Sequence, residues 1–365
     1  MEGRVVFSGG GTGGHLFPSL AVGDRLREKD PGLKITFIGS GRVLEKNLMG
    51  HYQADFIPLK IEGLKRRGWK SLRALFLLPA AFLKSLRILR RLRPRLVIGA
   101  GGYSSGPVVL LAAWMGIPTL IMEQNQRPGF TNRLLRRWVR AAAVSFESTL
   151  PEFQDKGIHT GNPVRAEFHR IPPGKREDRL RLMIFGGSQG SRFLNRVITE
   201  TLPDLEDIRD RLVFRHQTGK DDLDRVRERY AAAGFCDAEV EPFFYDMADK
   251  FRDSDLIISR AGATTIAELA AAGRASLLIP FSGAADDHQT LNARELESTG
   301  GAEILDEEEF TPGAFRSKIW GFLQDPERIS RMEKNLRGIR KIDAAEAIAE
   351  ICLRLMENSK GGPNG

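Results

Sequence analysis

Short apolar runs alternate along the chain with longer stretches in which apolar positions recur every three or four residues. "RVVFSG", "KITFIGS", "RLVIGAGG", "PTLIMEQN" and "AAAVSF" read as strands. Helical spacing follows the first of them from about Pro18 to Lys29, and another helix is predicted to begin near Pro107 in "SSGPVVLLAAWMG". Strand–helix alternation of this kind predicts an α/β chain with parallel sheets. The pattern then restarts. "LRLMIFGGSQGSRFLNRVITETL" is again strand, glycine turn and helix, and so is "DLIISRAGATTIAELAAAG", which leads into the strand "ASLLIPF". Between the two series lies "GIHTGNPVRAEFHRIPPGKRED", rich in Pro, Gly and charge, which reads as the linker. The pattern therefore predicts two domains, 1–162 and 163–340. A last amphipathic helix, 341–358, has Ile342, Ala345, Ile348, Cys352 and Leu355 on one side, and "NSKGGPNG" reads as a frayed tail.

Two glycine-rich turns stand at the strand–helix junctions. "SGGGTGGH" sets five glycines between Ser8 and His15, and Gly9, Gly11 and Gly14 satisfy G-x-G-x-x-G. Glycines let a backbone approach a ligand, and a helix start attracts anions, so a phosphate is the expected guest. The dinucleotide form of this motif also needs an acid closing the second strand. Here that strand ends in Ile38, Gly39, Ser40 and Gly41, and Asp30 precedes it, which argues against a nicotinamide cofactor. In the second turn, "GGSQGS", Ser188 can offer its hydroxyl to a phosphate or simply cap the helix. Glu268, in "RAGATTIAE", can accept both hydroxyls of a ribose or complement the helix dipole. "DDHQTLNA" brings Asp286, Asp287, His288 and Gln289 to a strand end.

Charge sharpens the picture in one place. The 365-residue chain carries a formal +8, yet residues 60–95 hold twelve Lys and Arg against the single acid Glu62, a local +11 that leaves −3 for everything else. Such a patch suits a phosphate-rich partner, either nucleic acid or an anionic membrane surface. Trp69, Leu75, Phe76 and Leu78 stand beside these cations, which favours the membrane; single-stranded nucleic acid prefers interleaved aromatic platforms. Pro79 is expected to split or kink the helix that carries them. No apolar run reaches the length of a membrane span, and the chain is expected to lack a targeting peptide because it enters a strand at once. Cys236 and Cys352 make no disulfide framework, and both are expected to be reduced thiols in a cytoplasm.

The motifs "GGGTGGHLFP", "GGYSSGP", "EQN", "TGNPVR", "GGSQG", "RAGATTIAE" and "HQ" followed by "NA" occur in an order that resembles the MurG glycosyltransferases of bacterial cell-wall synthesis, over residues 4–355. The resemblance implies a GT-B glycosyltransferase fold: two Rossmann-like domains with parallel sheets facing across a cleft. The first would face the acceptor and the membrane, the second would bind the UDP-sugar, and the last helix would return to the first. It implies an inverting transfer of N-acetylglucosamine from UDP-N-acetylglucosamine to the C4 hydroxyl of the muramyl sugar of lipid I, giving lipid II. It implies no cofactor, no metal and no nucleic-acid partner. It also implies a peripheral enzyme on the cytoplasmic face of the plasma membrane, held through the basic and apolar segment 64–95. Site residues carry over by motif. Thr12, Gly13, Gly14, Asn125, Arg165 and Ser188 would contact the nucleotide-sugar. Phe244 would meet the uracil with its backbone. Ala263, Thr264, Thr265, Ile266, Ala267 and Glu268 would run from sugar to ribose, with Gln289 near the acetylglucosamine. Two departures stand out: Met122, just before "EQN", stands where some relatives have a histidine, and His288 replaces the first of a glutamine pair. His15 is the expected base, since a helix N-terminus keeps an imidazole neutral. Glu123 is its rival, and Tyr103 would orient the acceptor. The alternatives are a GT-B UDP-sugar transferase with a different lipid acceptor, or a non-enzymatic basic nucleotide- or nucleic-acid-binding protein.

Overall fold

The computed structural model describes residues 3–59, 69–174, 178–284, 287–338 and 343–358, with the backbone alone for residues 44 and 69–78. The expected contributions of Leu75, Phe76, Leu78 and the Trp69 side chain, and of Asp286 and Ile342, lie outside what is described. The chain divides into two compact units, one formed by Met1–Arg165 with Ile342–Gly365 and the other by Ala166–Lys341.

The first unit is built on seven parallel strands: β1 (Arg4–Gly9), β2 (Lys34–Gly39), β3 (Asp55–Pro58), β4 (Leu96–Gly101), β5 (Thr119–Glu123), β6 (Ala141–Val144) and β7 (Gly157–His159), in the order β3-β2-β1-β4-β5-β6-β7. Val5, Val6 and Phe7 are all at most 1% exposed, the mark of a strand covered on both faces. The Phe7 ring stacks on Phe37 of the neighbouring strand at 5.2 Å. The strand order reverses between β1 and β4, and ligands of open α/β sheets bind outside the strand C-termini at such a switch.

The first helix departs from its predicted start. It runs Gly13–Lys29, five residues earlier than the Pro18 signal, with Pro18 inside it. Proline there removes one hydrogen bond, while Leu16, Leu20, Val22 and Leu26, each at most 2% exposed, hold the helix to the sheet. The start of the helix thereby coincides with the glycine turn. Pro79 likewise fails to split its helix, which runs unbroken from Trp69 to Leu92. Its second half is anchored by buried Ala81, Ser85 and Leu89, and Ser85 Oγ donates to the Ala81 carbonyl at 2.7 Å. The last helix, Ala344–Asn358, packs along Gly13–Lys29 and belongs to the first unit. Arg25 pairs with Asp343 at 2.7 Å, Lys29 pairs with Glu346, and Ala345, Ile348, Cys352 and Met356 form the buried side. Leu355 is only partly covered, Met356 taking its place. Burial pushes the Cys352 thiol far up, so it is unreactive.

The second unit repeats the design with six parallel strands: β8 (Leu180–Phe185), β9 (Leu212–Gln217), β10 (Glu239–Glu241), β11 (Leu256–Ser259), β12 (Ser276–Leu278) and β13 (Ala302–Ile304), in the order β10-β9-β8-β11-β12-β13. Its core gathers Leu182, Ile184, Phe214, Leu256, Ile258 and Leu277 from the central strands with Leu194, Ile198, Phe315 and Ile319 from the flanking helices. The switch point falls between β8 and β11, the strands that carry "GGSQG" and "RAGA".

Candidate active site

In the first unit the switch point is lined by the turn after β1 and the turn after β4, packed backbone to backbone. Ser8 Oγ donates to the Ser104 carbonyl at 3.2 Å. A Cβ on Gly102, which has φ +78°, would lie 2.6 Å from the Gly10 carbonyl, so only glycine allows the approach. Thr12 is extended (φ −145°, ψ 161°), is exposed, and its side chain does not cap the helix that Gly13 and Gly14 open. Tyr103 is half-buried in the second turn. His15, in the first helical turn, lays its ring on the Gly101 backbone, where a Cβ would come within 2.9 Å of Cε1. Its Nδ1 is buried without a hydrogen-bond partner. Burial pushes its pKa below the usual 6.5, against the opposing pull of the Gln124 side chain and the Ala100 backbone. The imidazole is therefore neutral at neutral pH and has a lone pair to accept a proton.

Glu123 and Arg165 are both held by neighbours within the first unit. Glu123, at the end of β5, is 2% exposed, and its carboxylate accepts from Asn125 N (3.0 Å), Gly129 N (2.9 Å) and Asn132 Nδ2 (2.8 Å). Burial raises its pKa, and these hydrogen bonds oppose the rise. With both oxygens turned into its own loop, it anchors residues 125–132 and is not presented as a base. Asn125 lies on that loop, and its carbonyl accepts Thr149 Oγ1 at 3.4 Å. Arg165 is 6% exposed inside the first unit. Its Nη1 donates to Tyr52 Oη at 2.7 Å and its guanidinium lies 4.6 Å over the Phe17 ring, contacts that hold the side chain in place.

In the second unit the turn after β8 passes through Gly187 (φ +95°) and Gly190 (φ +74°), and Gly190 N closes it on the Gly187 carbonyl at 3.1 Å. Ser188 sits at its tip, half-buried. The helix Arg192–Thr201 is capped by Ser191, whose Oγ accepts from Leu194 N at 3.4 Å, so Ser188 is not the cap. Arg260 ties the two switch-point turns together. Its Nη2 donates to Ser191 Oγ (3.2 Å) and to Glu307 Oε1 (2.5 Å), and its Nη1 donates to the carbonyls of Ile279 (3.2 Å) and Pro280 (3.1 Å). The helix Ala263–Ala272 begins just beyond, at an extended Gly262, with no side-chain cap and no acid in its first turn. Thr264, Thr265, Ile266 and Ala267 make up that first turn and the residue after it. Glu268 follows in the second turn, 7% exposed, too far along to be a dipole partner. Gln289 bridges two strand ends, its Oε1 accepting from Ala261 N (3.3 Å) and Phe281 N (3.0 Å). Phe244 N already donates to Gln217 Oε1 at 2.8 Å, so the backbone at Phe244 offers a base its carbonyl.

Two groups went unnoticed in the sequence. Glu45, 1% exposed in the helix Val43–His51, sends its carboxylate into the first glycine turn. His216, at the end of β9, lies fully buried under the second: Asn195 Nδ2 donates to the Thr218 carbonyl (2.8 Å) and Asp222 Oδ2 (2.8 Å), leaving Asn195 Oδ1 to accept from His216 Nε2 (3.0 Å). His216 Nδ1 then accepts from Tyr230 Oη (3.2 Å), so the neutral ring is fully satisfied. Burial drives its pKa to about 3, against the pull of Asp222. Neither acid nor histidine falls in a recognisable motif; only the distance between partners in sequence hides them.

Residues 5–144 match the glycosyltransferase family 28 N-terminal domain, and residues 181–349 match the glycosyltransferase family 28 C-terminal domain. A protein of Myxococcus xanthus (strain DK1622) named UDP-N-acetylglucosamine--N-acetylmuramyl-(pentapeptide) pyrophosphoryl-undecaprenol N-acetylglucosamine transferase is 42% identical over 99% of this chain and 95% of its own. A protein of the same name from Syntrophus aciditrophicus (strain SB) is 40% identical over 98% of this chain and 99% of its own. Among solved structures, Acinetobacter baumannii MurG is 30% identical and superposes with a TM-score of 0.72 over 96% of this chain and 99% of its own. The UDP-GlcNAc 2-epimerase from Neisseria meningitidis, 15% identical with a TM-score of 0.66 over 96% of this chain and 100% of its own, shares the fold alone.

Proposed function

The chain belongs to the MurG branch of glycosyltransferase family 28, and from that premise we infer that it moves N-acetylglucosamine from UDP-N-acetylglucosamine to the C4 hydroxyl of the muramyl sugar of lipid I, releasing UDP and forming lipid II. The observation that carries the reading to particular residues is the uncapped helix start at Ala263 on the switch point of the second unit. Its N–H dipoles are oriented before reaction and can stabilise the charge that grows on the UDP diphosphate as the glycosidic bond breaks. Glu268 accepts the ribose hydroxyls, the Phe244 carbonyl takes the uracil N–H, and Ser188, Thr264 and Thr265 lie along the diphosphate. Gln289 stands at the acetylglucosamine.

The first unit takes the acceptor. Thr12, Gly13 and Gly14 cradle the lipid diphosphate and, with Asn125 and Arg165, reach the nucleotide-sugar, while Tyr103 orients the acceptor. His15 takes the C4 hydroxyl proton as that oxygen forms its bond to the anomeric carbon from the face opposite UDP, so the configuration inverts. Among the described residues no helix is long and apolar enough to cross a membrane. The basic segment 64–95 holds the enzyme peripherally on the anionic cytoplasmic face, where a lipid-linked acceptor is presented. The purified chain, given UDP-N-acetylglucosamine and a short-chain lipid I analogue without added metal, should yield the disaccharide-linked lipid by mass spectrometry. No product with this acceptor, but product with another lipid-linked sugar, would move the enzyme to a different acceptor class.

A further inference from the structure

We propose that Glu45 is the positioning residue of the acceptor site, acting as an internal anion that locks the first glycine turn. The proposal rests on the reading that this turn holds the acceptor diphosphate. Glu45 Oε1 accepts from Gly11 N (2.5 Å), Ser40 N (3.2 Å) and Ser40 Oγ (2.9 Å), and Oε2 accepts from Gly41 N (2.5 Å) and Arg42 N (3.0 Å). Arg42 Nη1 returns across the turn to the Gly11 carbonyl at 3.1 Å. The N–H and the carbonyl of Gly11, which flank a φ of +99°, are thus both committed. A Cβ on Gly10 would overlap Glu45 Oε1, which explains a glycine that no ligand requires.

Four backbone N–H groups converging on one carboxylate form the kind of nest that elsewhere binds phosphate. Here the chain fills it with its own anion. The substrate diphosphate is left to Thr12 and the helix start, and their direction is set by the locked Gly11 peptide. Charge-assisted bonds to a buried carboxylate are among the stronger ones, so the turn is held in place before the lipid arrives.

The test is steady-state kinetics of the full chain with a lipid I analogue, together with calorimetry of UDP binding. Glu45→Gln turns one acceptor oxygen into a donor facing N–H groups, and should raise the acceptor KM tenfold or more while leaving the UDP Kd within twofold. Ser40→Ala and Arg42→Ala, each removing one member of the lock, should shift the acceptor KM in the same direction by a few-fold. A folded Glu45→Gln with wild-type acceptor KM overturns the proposal, as does a parallel loss of UDP binding, which would mark a general structural role. Should Glu45→Gln not fold, wild-type acceptor KM in both milder variants overturns it. A wild-type chain that makes no disaccharide overturns the functional reading itself and removes the basis of the assignment.

Discussion

Acid should destabilise the second unit through His216, and the size of the effect follows from its surroundings. The unfolded chain protonates this imidazole near pH 6.5, whereas the folded chain resists protonation until about pH 3. Over that window the unfolded state holds one more proton, so stability falls as pH falls, by about 1.4 kcal/mol per pH unit. The whole window amounts to about 5 kcal/mol, a large part of an ordinary folding free energy of roughly 5–15 kcal/mol. The cause is specific: a proton on Nδ1 would face Tyr230 Oη, which now donates to it, in a site without solvent. His216→Gln offers one donor and one acceptor but cannot titrate. Urea unfolding at pH 7, 5.5 and 4.5 should show the variant less stable by about 1–2 kcal/mol at pH 7. The gap should close by about 1.4 kcal/mol per unit and reverse sign by about pH 4.5. Other acidic groups titrate alike in both chains, so the difference isolates this one. Because Asn195 also holds the Thr218 carbonyl against which Gly190 packs, UDP affinity should weaken in acid in the wild type more than in the variant. Equal pH slopes in the two chains would refute the reasoning.

His15→Ala should lower turnover by about 100-fold or more with UDP affinity unchanged, and the acid limb of the wild-type rate should lie below the ordinary imidazole midpoint of 6.5, because burial depresses the His15 pKa. Near-wild-type turnover would remove it from the base role. Glu123→Gln should cost about 1–3 kcal/mol in thermal unfolding, because the amide nitrogen, at either oxygen's place, would face two N–H donors, yet it should leave the acid limb of the rate profile in place. A rate limb that vanishes in this variant would restore Glu123 as the base. Sedimentation with anionic vesicles should bind the wild-type chain and lose it at high salt, and Leu75→Glu with Phe76→Glu should weaken the binding several-fold; unaltered binding would place the anchor elsewhere.

The alternation of apolar runs carried the sheets well, since central strands such as β4 are covered on both faces and are apolar throughout, and β1 has the same core in Val5, Val6 and Phe7. The glycine turns were legible for the same local reason: "GGGTGGH" and "GGSQG" interrupt that alternation at strand ends. What escaped was decided by partners far apart in sequence. Glu45 meets Gly11 across 34 residues, and Arg260 meets Ser191 across 69. Glu123 looked like a reactive acid because its inward turn depends on Gly129 and Asn132, which carry no signature of it. Arg165 belongs to a motif, but its neighbours Tyr52 and Phe17 come from other elements. Ser188 and Ser191 are equivalent by composition, and only backbone geometry selects Ser191 as the cap. The early start of the first helix reflects packing of Leu16 and Leu20 overriding the proline signal.

Hydrogen exchange of the full chain with saturating UDP addresses the division of labour between the two units most directly. Protection should concentrate in residues 186–191 and 260–268, the turns at the second switch point, and leave residues 9–14 as they are in the free chain. Protection of 9–14 with no change in 260–268 would place the nucleotide on the wrong unit and contradict the account.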